Sequence, residues 1–204
     1  SATTTLYYAG ANTCCSTQTQ TISYPGTLPG IFVINNTPSR RINTTISSGT
    51  TIDLGYNASS SLSSYETSTF TNNGTILVNG PWVIAGFSTA AVDVNLVNNG
   101  TITHSGTSWV LNHVDLTNNG TISFSSGTTW DFNAPNTFNS SASLINNSGG
   151  TIVYGGSSIT LQDIFTQNGT FDTTGKTITF DNDFSTCCGA GRVQSITYPG
   201  ILPG

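Results

Sequence analysis

The pentapeptide Asn-Asn-Gly-Thr-Ile occurs three times without change in this 204-residue chain. The identical copies begin at Asn72, Asn98 and Asn118, and variants begin at Asn146, Gln167 and, in a degenerate form, at Ile34. An apolar residue stands two positions before each of the five clear copies, which is the alternation of a strand with one buried face. Short repeats of this kind are typical of stacked architectures in which each copy is one unit. The chain is therefore restricted to a repeat fold.

A second half-motif, Gly-x-x-apolar-x-apolar, follows the first, and on this pattern Ser48–Leu54 aligns with Ser126–Phe132. Each coil is predicted to run strand, Asn-Gly corner, strand, Gly corner, strand. We expect the Asn-Gly pairs to supply left-handed backbone conformations and stacked asparagine amides. The predicted corner residues are Asn73, Gly74, Asn99, Gly100, Asn119, Gly120, Asn168 and Gly169.

Parallel stacking of these coils predicts three interior columns of apolar side chains. The first contains Ile76, Ile102, Ile122, Ile152 and Phe171, the second Trp82, Trp109, Trp130, Ile159 and Ile178, and the third Ile84, Leu111, Phe132, Leu161 and Phe180. The predicted fold is all-β, a parallel β-helix (β-solenoid) of about six coils with short Pro/Gly-rich terminal linking segments. Residues 31–184 form the predicted body, and residues 1–30 and 185–204 the linking segments.

The two ends of the chain carry the same motif. The segment from Cys14 to Gly30 returns from Cys187 to Gly204, so that the two final glycines are 174 positions apart. The chain therefore reads as one period of a longer array, in which the duplicated ends join consecutive units. The residues predicted at this junction are Cys14, Cys15, Tyr24, Leu28, Cys187, Cys188, Tyr198 and Leu202.

All four cysteines belong to the duplicated ends, as two adjacent pairs. An even number in a Ser/Thr/Asn-rich chain that reads as exported favours disulfides. Adjacent cysteines bond to each other only through a strained ring, so cross-bridges between segments, or between consecutive repeats, are the leading interpretation. A zinc site of four thiolates and unpaired or locally bonded cysteines are the alternatives.

Composition argues against several partners. Charged residues make up only 6% of the chain, the net charge is −5, and Arg40-Arg41 is the only basic pair. We therefore expect neither nucleic acid nor an anionic membrane as a partner. The sequence has no apolar run of membrane-spanning length and no secretion signal at Ser1, so we expect no membrane insertion and an export signal that was removed or lies upstream.

Two sets of residues resemble known families. Repeats of the form Leu-x-Asn-x-Gly-x-Ile followed by a Gly corner, over roughly residues 31–184, resemble those of parallel β-helix adhesins, the filamentous-haemagglutinin-like proteins of bacterial surfaces. The segments 21–26 and 195–200 resemble tandem repeats of large Bacteroidota surface and gliding adhesins. These resemblances imply a fibre module at the cell surface or outside the cell, with identical repeats as neighbours and a surface glycan or a host or substratum ligand.

The rival interpretation is a carbohydrate-binding or carbohydrate-cleaving β-helix in which Trp82, Tyr65 or Tyr154 stacks on sugar rings. Glycoside cleavage needs two carboxylates about 5 to 10 Å apart. The acidic residues show no grouping in the sequence, so we expect no enzyme. His104 and His113 are predicted to be hydrogen-bonded histidines near a corner. No cofactor is expected, with calcium at residues 181–183 as the alternative.

Threonine alternation at residues 17–21 and 67–71 is similar to that of ice-binding faces. Such a face needs an outward threonine column shared by all coils, and we expect none from the sequence.

Overall fold

A computed structural model of the chain describes residues 17–29, 34–35, 41–55, 60–64, 68–86, 94–125, 127–133, 143–156, 158–161, 164–180 and 195–197. These residues form 22 strands and no helix, and the strands make three parallel sheets. Numbered along the chain, sheet A contains β1 (Thr17–Ile22), β4 (Arg41–Ile46), β7 (Ser68–Asn72), β10 (Val94–Asn98), β13 (Val114–Asn118), β16 (Ser143–Asn146), β19 (Ile164–Gln167) and β22 (Ser195–Thr197).

The other two sheets contain seven described strands each. Sheet B contains β2 (Gly26–Pro29), β5 (Thr50–Asp53), β8 (Thr75–Val78), β11 (Thr101–His104), β14 (Thr121–Phe124), β17 (Thr151–Tyr154) and β20 (Thr170–Asp172). Sheet C contains β3 (Ile34–Asn35), β6 (Ser60–Ser64), β9 (Trp82–Gly86), β12 (Ser108–Asn112), β15 (Thr129–Asn133), β18 (Ser158–Leu161) and β21 (Thr177–Phe180).

The chain passes through sheets A, B and C in turn and then returns to sheet A one strand further along. We number as coils 1 to 7 the successive triplets from β1–β3 to β19–β21, and β22 begins coil 8. The predicted all-β parallel β-solenoid is confirmed, with seven described coils where about six were expected. The difference arises at the ends, because β1 and β2 lie within residues 1–30 and β22 within residues 185–204, the two segments predicted as links.

Strand register confirms the predicted interior columns. Trp109 is in register with Trp82 and Trp130, and Ile102 with Ile76 and Ile122. In the middle coils the alternate residues of each strand are buried, and they join into one continuous core. Burial of each such side chain contributes roughly 1.5 to 3 kcal/mol, which explains how a chain with few charges folds.

The uneven spacing of the repeats originates mainly in the connection from sheet C back to sheet A. Residues 87–93 make this connection between β9 and β10, whereas His113 alone makes it between β12 and β13. His113 has a φ of 55°, the left-handed conformation that lets a single residue turn the chain. Insertions at this corner leave the stacked sheets in register.

Two sequence alignments are wrong. Ile34 lies in β3 of sheet C, in register with Leu62, so it does not lie at the end of a sheet A strand as the degenerate repeat requires. Thr50–Asp53 (β5) lies in sheet B and Thr129–Asn133 (β15) in sheet C, so the two half-motifs are not equivalent. A glycine followed by apolar alternation describes any half-buried strand after a corner, and only the register distinguishes the sheets.

Candidate functional site

The duplicated motif lies at both ends of the solenoid. In the first copy, Tyr24 sits in the corner between β1 and β2, is 47% exposed, and its backbone N–H donates to Thr50 Oγ1 at 2.9 Å. Leu28 points inward from β2, in register with Ile52, and is half-buried. In the second copy β22 pairs with β19. The predicted junction residues Tyr198, Leu202, Cys14, Cys15, Cys187 and Cys188 lie outside the described residues, and so does the predicted calcium segment 181–183.

The core is less covered at the ends than in the middle. Ile22 and Leu28 in coil 1, and Ile178 and Phe180 in coil 7, are only partly buried although they continue the interior columns. Ile196 in β22 is 42% exposed. Apolar side chains that face inward at an open end form a surface suited to a further coil of the same kind.

The Asn-Gly pairs lie at the A-to-B corners, between β7 and β8, β10 and β11, β13 and β14, and β19 and β20. Within the described part of the chain the left-handed glycines lie elsewhere, at positions such as Gly49 and Gly127, so the left-handed prediction for these corners is wrong. The reason for glycine is close stacking. A Cβ at Gly100 would overlap the carbonyl oxygen of Gly74, and one at Gly120 would overlap that of Gly100.

The predicted amide ladder is present, and it is double. The inner ladder is buried: Asn72, Asn98 and Asn118 each donate through Nδ2 to the side-chain oxygen of the next coil at 2.8 Å, and Asn146 donates to Gln167 Oε1 at 3.0 Å. This ladder satisfies polar groups that would otherwise be buried without partners.

The outer ladder runs along the exposed side of the same corner. Asn99 donates to Asn73 Oδ1 at 2.9 Å, Asn119 to Asn99 at 2.8 Å, and Asn147 to Asn119 at 2.6 Å. Its amides donate toward the N-terminal end, opposite to the inner ladder. Coils 3 to 6 are therefore joined by two columns of side-chain amides, and the inner column extends to Gln167 in coil 7.

A complete threonine column lies on the outside of sheet B, one rung per strand. Its members are Thr27, Thr51, Thr75, Thr101, Thr121, Thr151 and Thr170. The expectation that the coils share no outward threonine column is therefore wrong. Six of these seven threonines directly follow a glycine, and Thr51 is the exception, so the repeated pentapeptide already contained the signal in its Gly-Thr-Ile half.

Sheet A has a second outward column next to the same corner, and all eight of its rungs are β-branched. Its members are Thr21, Thr45, Thr71, Val97, Thr117, Ile145, Thr166 and Thr197. These two outward columns, one all threonine and one mostly threonine, form one uncharged strip with the outer asparagine ladder between them, and we call this strip the Thr-Asn ridge. Its hydroxyl and amide groups repeat at the spacing of stacked strands, about 4.8 Å.

The carboxylates whose side chains the structure describes are separated and hydrogen-bonded. Asp53 accepts from Gly55 N–H and from Asn79 Nδ2, and Asp115 accepts from the Ser143 hydroxyl at 2.6 Å. Asp172 accepts from the hydroxyl and N–H of Thr174, which lower its pKa. Asp53 and Asp172 share a sheet B column and lie five strands apart. This separation of about 24 Å is too large for paired acid-base chemistry.

The tryptophans are inside the solenoid. Trp82, Trp109 and Trp130 stack with ring centroids 4.9 and 5.5 Å apart, and Tyr154 packs against Trp130. All four are buried. Rings in this position hold coils together and present no face to a sugar, and Tyr65 lies outside the described residues.

His104 is buried in the same interior, between Trp109 and Phe124, with ring centroids 5.9 and 5.8 Å away. Burial lowers its pKa from 6.5 to about 4, and the nearby Ser108 backbone offsets this only in part. The Ser108 backbone lies near the ring but outside hydrogen-bond geometry, and neither ring nitrogen has another partner within the described part of the chain, so the prediction of a hydrogen-bonded corner histidine is wrong for His104. The register places it in the inward column two residues beyond that of Ile102, as strand alternation requires.

The described residues contain no group of three or more His, Cys, Asp or Glu side chains arranged to hold a metal ion. In the same residues no helix has the length and apolarity needed to cross a membrane. Comparison with protein-family models, with curated proteins and with solved structures finds no match for this chain. Its place among the parallel β-solenoids therefore rests on its strand topology.

Proposed function

We propose that the chain is a structural and adhesive repeat module of an extracellular or cell-surface protein fibre. The observation that carries the proposal is the open-ended architecture: three sheets run from coil to coil, and their interior columns remain partly uncovered at both ends. A solenoid with uncovered ends is suited to stacking on identical repeats. Seven coils at about 4.8 Å each make one module a rod roughly 34 Å long.

Electron microscopy of native material tests the fibre role. Each module contributes seven stacked coils. We therefore expect filaments with a regular axial repeat of roughly 34 Å, or a multiple of it. Native material that consists only of isolated globular particles would contradict the proposal.

The junction residues proposed for end-to-end continuity are those of the duplicated motif, with the cysteines as cross-bridges. A Cys187→Ser, Cys188→Ser double variant should weaken end-to-end continuity and leave the solenoid folded, because the core columns of the described coils contain no cysteine. Fibre length under oxidising and reducing conditions is the measurement. Equal fibre length in both conditions for the unmodified chain would remove the disulfides from the proposal.

The adhesive part of the proposal is assigned to the Thr-Asn ridge. Its threonines are at least partly exposed, and its hydroxyl and amide groups suit a ligand with regularly spaced hydroxyls, such as a surface glycan. A Thr101→Lys, Thr121→Lys variant, on adjacent rungs of sheet B, should reduce retention on insoluble polysaccharides. Thr160→Lys, Thr179→Lys on adjacent rungs of sheet C is the matched control. Equal retention of both variants would exclude the ridge as the adhesive surface.

We propose no catalytic activity. The burial of Trp82, Trp109, Trp130 and Tyr154 weakens the alternative of a carbohydrate-cleaving β-helix, since those rings were its sugar-stacking surface. The separation of Asp53 from Asp172 removes one acid pair from consideration. Oligosaccharide soaks that place a sugar between two carboxylates, with release of reducing ends, would reverse the order of the two functions.

A further inference from the structure

The two copies of the duplicated motif enter the solenoid in the same way. β1 from the first copy and β22 from the second are both sheet A strands, parallel to their neighbours, at opposite ends of the sheet. Each is the first strand of its coil. The chain therefore starts its eighth coil with the motif that makes its first.

Equivalent residues of β1 and β22 also point to the same side of sheet A. Ile196 points inward in register with Phe165, and Ile22 lies in register with Ile46. The column that contains Ile22 reaches Gln167 in β19, whereas Ile196 pairs with Phe165, two residues earlier in the same strand. A shift of two residues keeps every side chain on its own face, so the isoleucine remains an interior residue in both copies.

The interior columns that end in coil 7 are the same columns that run through coil 1. Phe180 and Ile178 in coil 7 are half-buried, whereas Leu161 and Ile159 one coil earlier are fully buried. In the first copy the motif leucine, Leu28, occupies the sheet B column that ends at Phe171. A coil made by a second copy would bring a leucine to the same column.

We propose that the second copy is coil 1 of a following period, so that consecutive periods form one uninterrupted covalent solenoid with seven coils in each period. Among the described residues no strand pairs with the outer edges of β20 and β21, and the proposal assigns those edges to the next repeat of the same chain. This inference rests on the proposed structural role and specifies how the modules join: the backbone continues from one module into the next, and the proposed cysteine cross-bridges stabilise that join.

The position of β22 argues against docking of separate subunits. A subunit that stacked its coil 1 on coil 7 would have to pair its β1 with β19, and β22 of the same chain already pairs with β19. In sheet A the incoming β1 would have to pair with β22 of coil 8, whereas in sheets B and C the incoming β2 and β3 would pair with β20 and β21 of coil 7. Covalent continuation has no such mismatch, because β22 itself provides the missing strand.

A two-period chain, in which residues 1–204 are followed by a second copy of residues 31–204, tests the proposal by small-angle X-ray scattering. Relative to the single period, we expect the maximum dimension to grow by roughly 34 Å at unchanged cross-section. The single-period chain should remain monomeric. A hinge between two rods, or end-to-end multimers of the single-period chain, would overturn the proposal.

Hydrogen exchange of the β22 amides provides a second readout. In the two-period chain these amides lie in an interior strand, and we expect about tenfold or greater slowing of their exchange relative to the single period. Ile196→Asn should abolish this gain, because its side chain faces the core, while Thr197→Asn on the outward face of the same strand should retain it. Equal exchange in one and two periods would overturn continuation.

The two proposals fail separately. A continuous two-period rod without native filaments would reject the fibre role and keep the continuation. Native filaments built from hinged rods would keep the fibre role and reject the continuation.

Discussion

The middle coils and the end coils use the same types of residue in the same columns, yet differ in how completely those residues are buried. Ile159 in coil 6 is fully buried, and Ile178, its neighbour in coil 7, is half-buried. The main difference between them is whether a coil covers them on both sides. The comparison teaches that the burial of a side chain in this molecule depends on the coils stacked on either side of it. The end coils expose residues of the same columns because a neighbouring coil is present on one side only.

The largest effect should come from truncation of that matched pair. Ile159→Ala removes a buried side chain and leaves a cavity, so we expect a loss of about 3 to 4 kcal/mol in the free energy of unfolding. Ile178→Ala should cost less than half as much, because its side chain is already partly in water. Denaturant titration measures both, and equal losses would mean that the end is as closely packed as the middle.

Acidification should destabilise the middle coils before the end coils, because the buried His104 lies in the middle coils. Its folded pKa of about 4 lies below the ordinary value of 6.5, so the unfolded chain binds more protons between these values. Stability is therefore complete above the ordinary pKa and falls as the pH drops toward the folded pKa, by roughly 3 kcal/mol.

Denaturant titrations across this pH range, compared with those of His104→Leu, isolate the histidine from the carboxylates. The leucine variant should lose less stability on acidification, and hydrogen exchange should locate the difference in coils 4 and 5. Parallel pH profiles for the two proteins would show that His104 does not control acid stability.

Glycine is required for different reasons in the middle of the stack and near its end, and Gly100 and Gly49 represent the two cases. A Cβ at Gly100 would overlap the backbone of the coil below, so Gly100→Ala should cost about 2 to 3 kcal/mol. Gly49 in coil 2 has a φ of 82° and no atom within 4 Å of an added Cβ. Gly49→Ala should therefore cost about 1 kcal/mol, from its left-handed backbone alone. Thermal unfolding of both variants checks the order, and the reverse order would refute close stacking as the reason for Gly100.

The smallest effect should come from the inner amide ladder. Asn98 is a rung with neighbours on both sides, so in Asn98→Ala both Asn72 and Asn118 lose a partner. We expect this variant to cost about 1 to 2 kcal/mol. At the end of the ladder Asn146 still donates to the Thr170 carbonyl when Gln167 is removed, so Gln167→Ala should cost less than about 1 kcal/mol. If both cost the same in denaturant titrations, the ladder is a set of independent pairs.

Much of the fold was predictable from local pattern. Apolar alternation on either side of Asn-Asn-Gly predicted the strands, and the identity of the repeats predicted which residues share a column, because a parallel stack aligns equal positions. The first coil was missed since Tyr24-Pro25-Gly26 does not match the repeat. The threonine column was missed although its signal is local, because the repeated Gly-Thr-Ile places a threonine at the outward position before each inward isoleucine of sheet B.

The repeated pentapeptide by itself determined the strands, their buried faces and the A-to-B corners, since these depend on side-chain alternation and on small residues in fixed order. The tertiary structure decided why Gly100 must be glycine, which half-motif belongs to which sheet, and that His104 is buried between aromatic rings. It also decided that β1 and β22, assigned to links by the sequence pattern, extend sheet A. Each of these depends on the neighbouring coil, which the sequence places 19 to 31 residues away and the stack brings into contact.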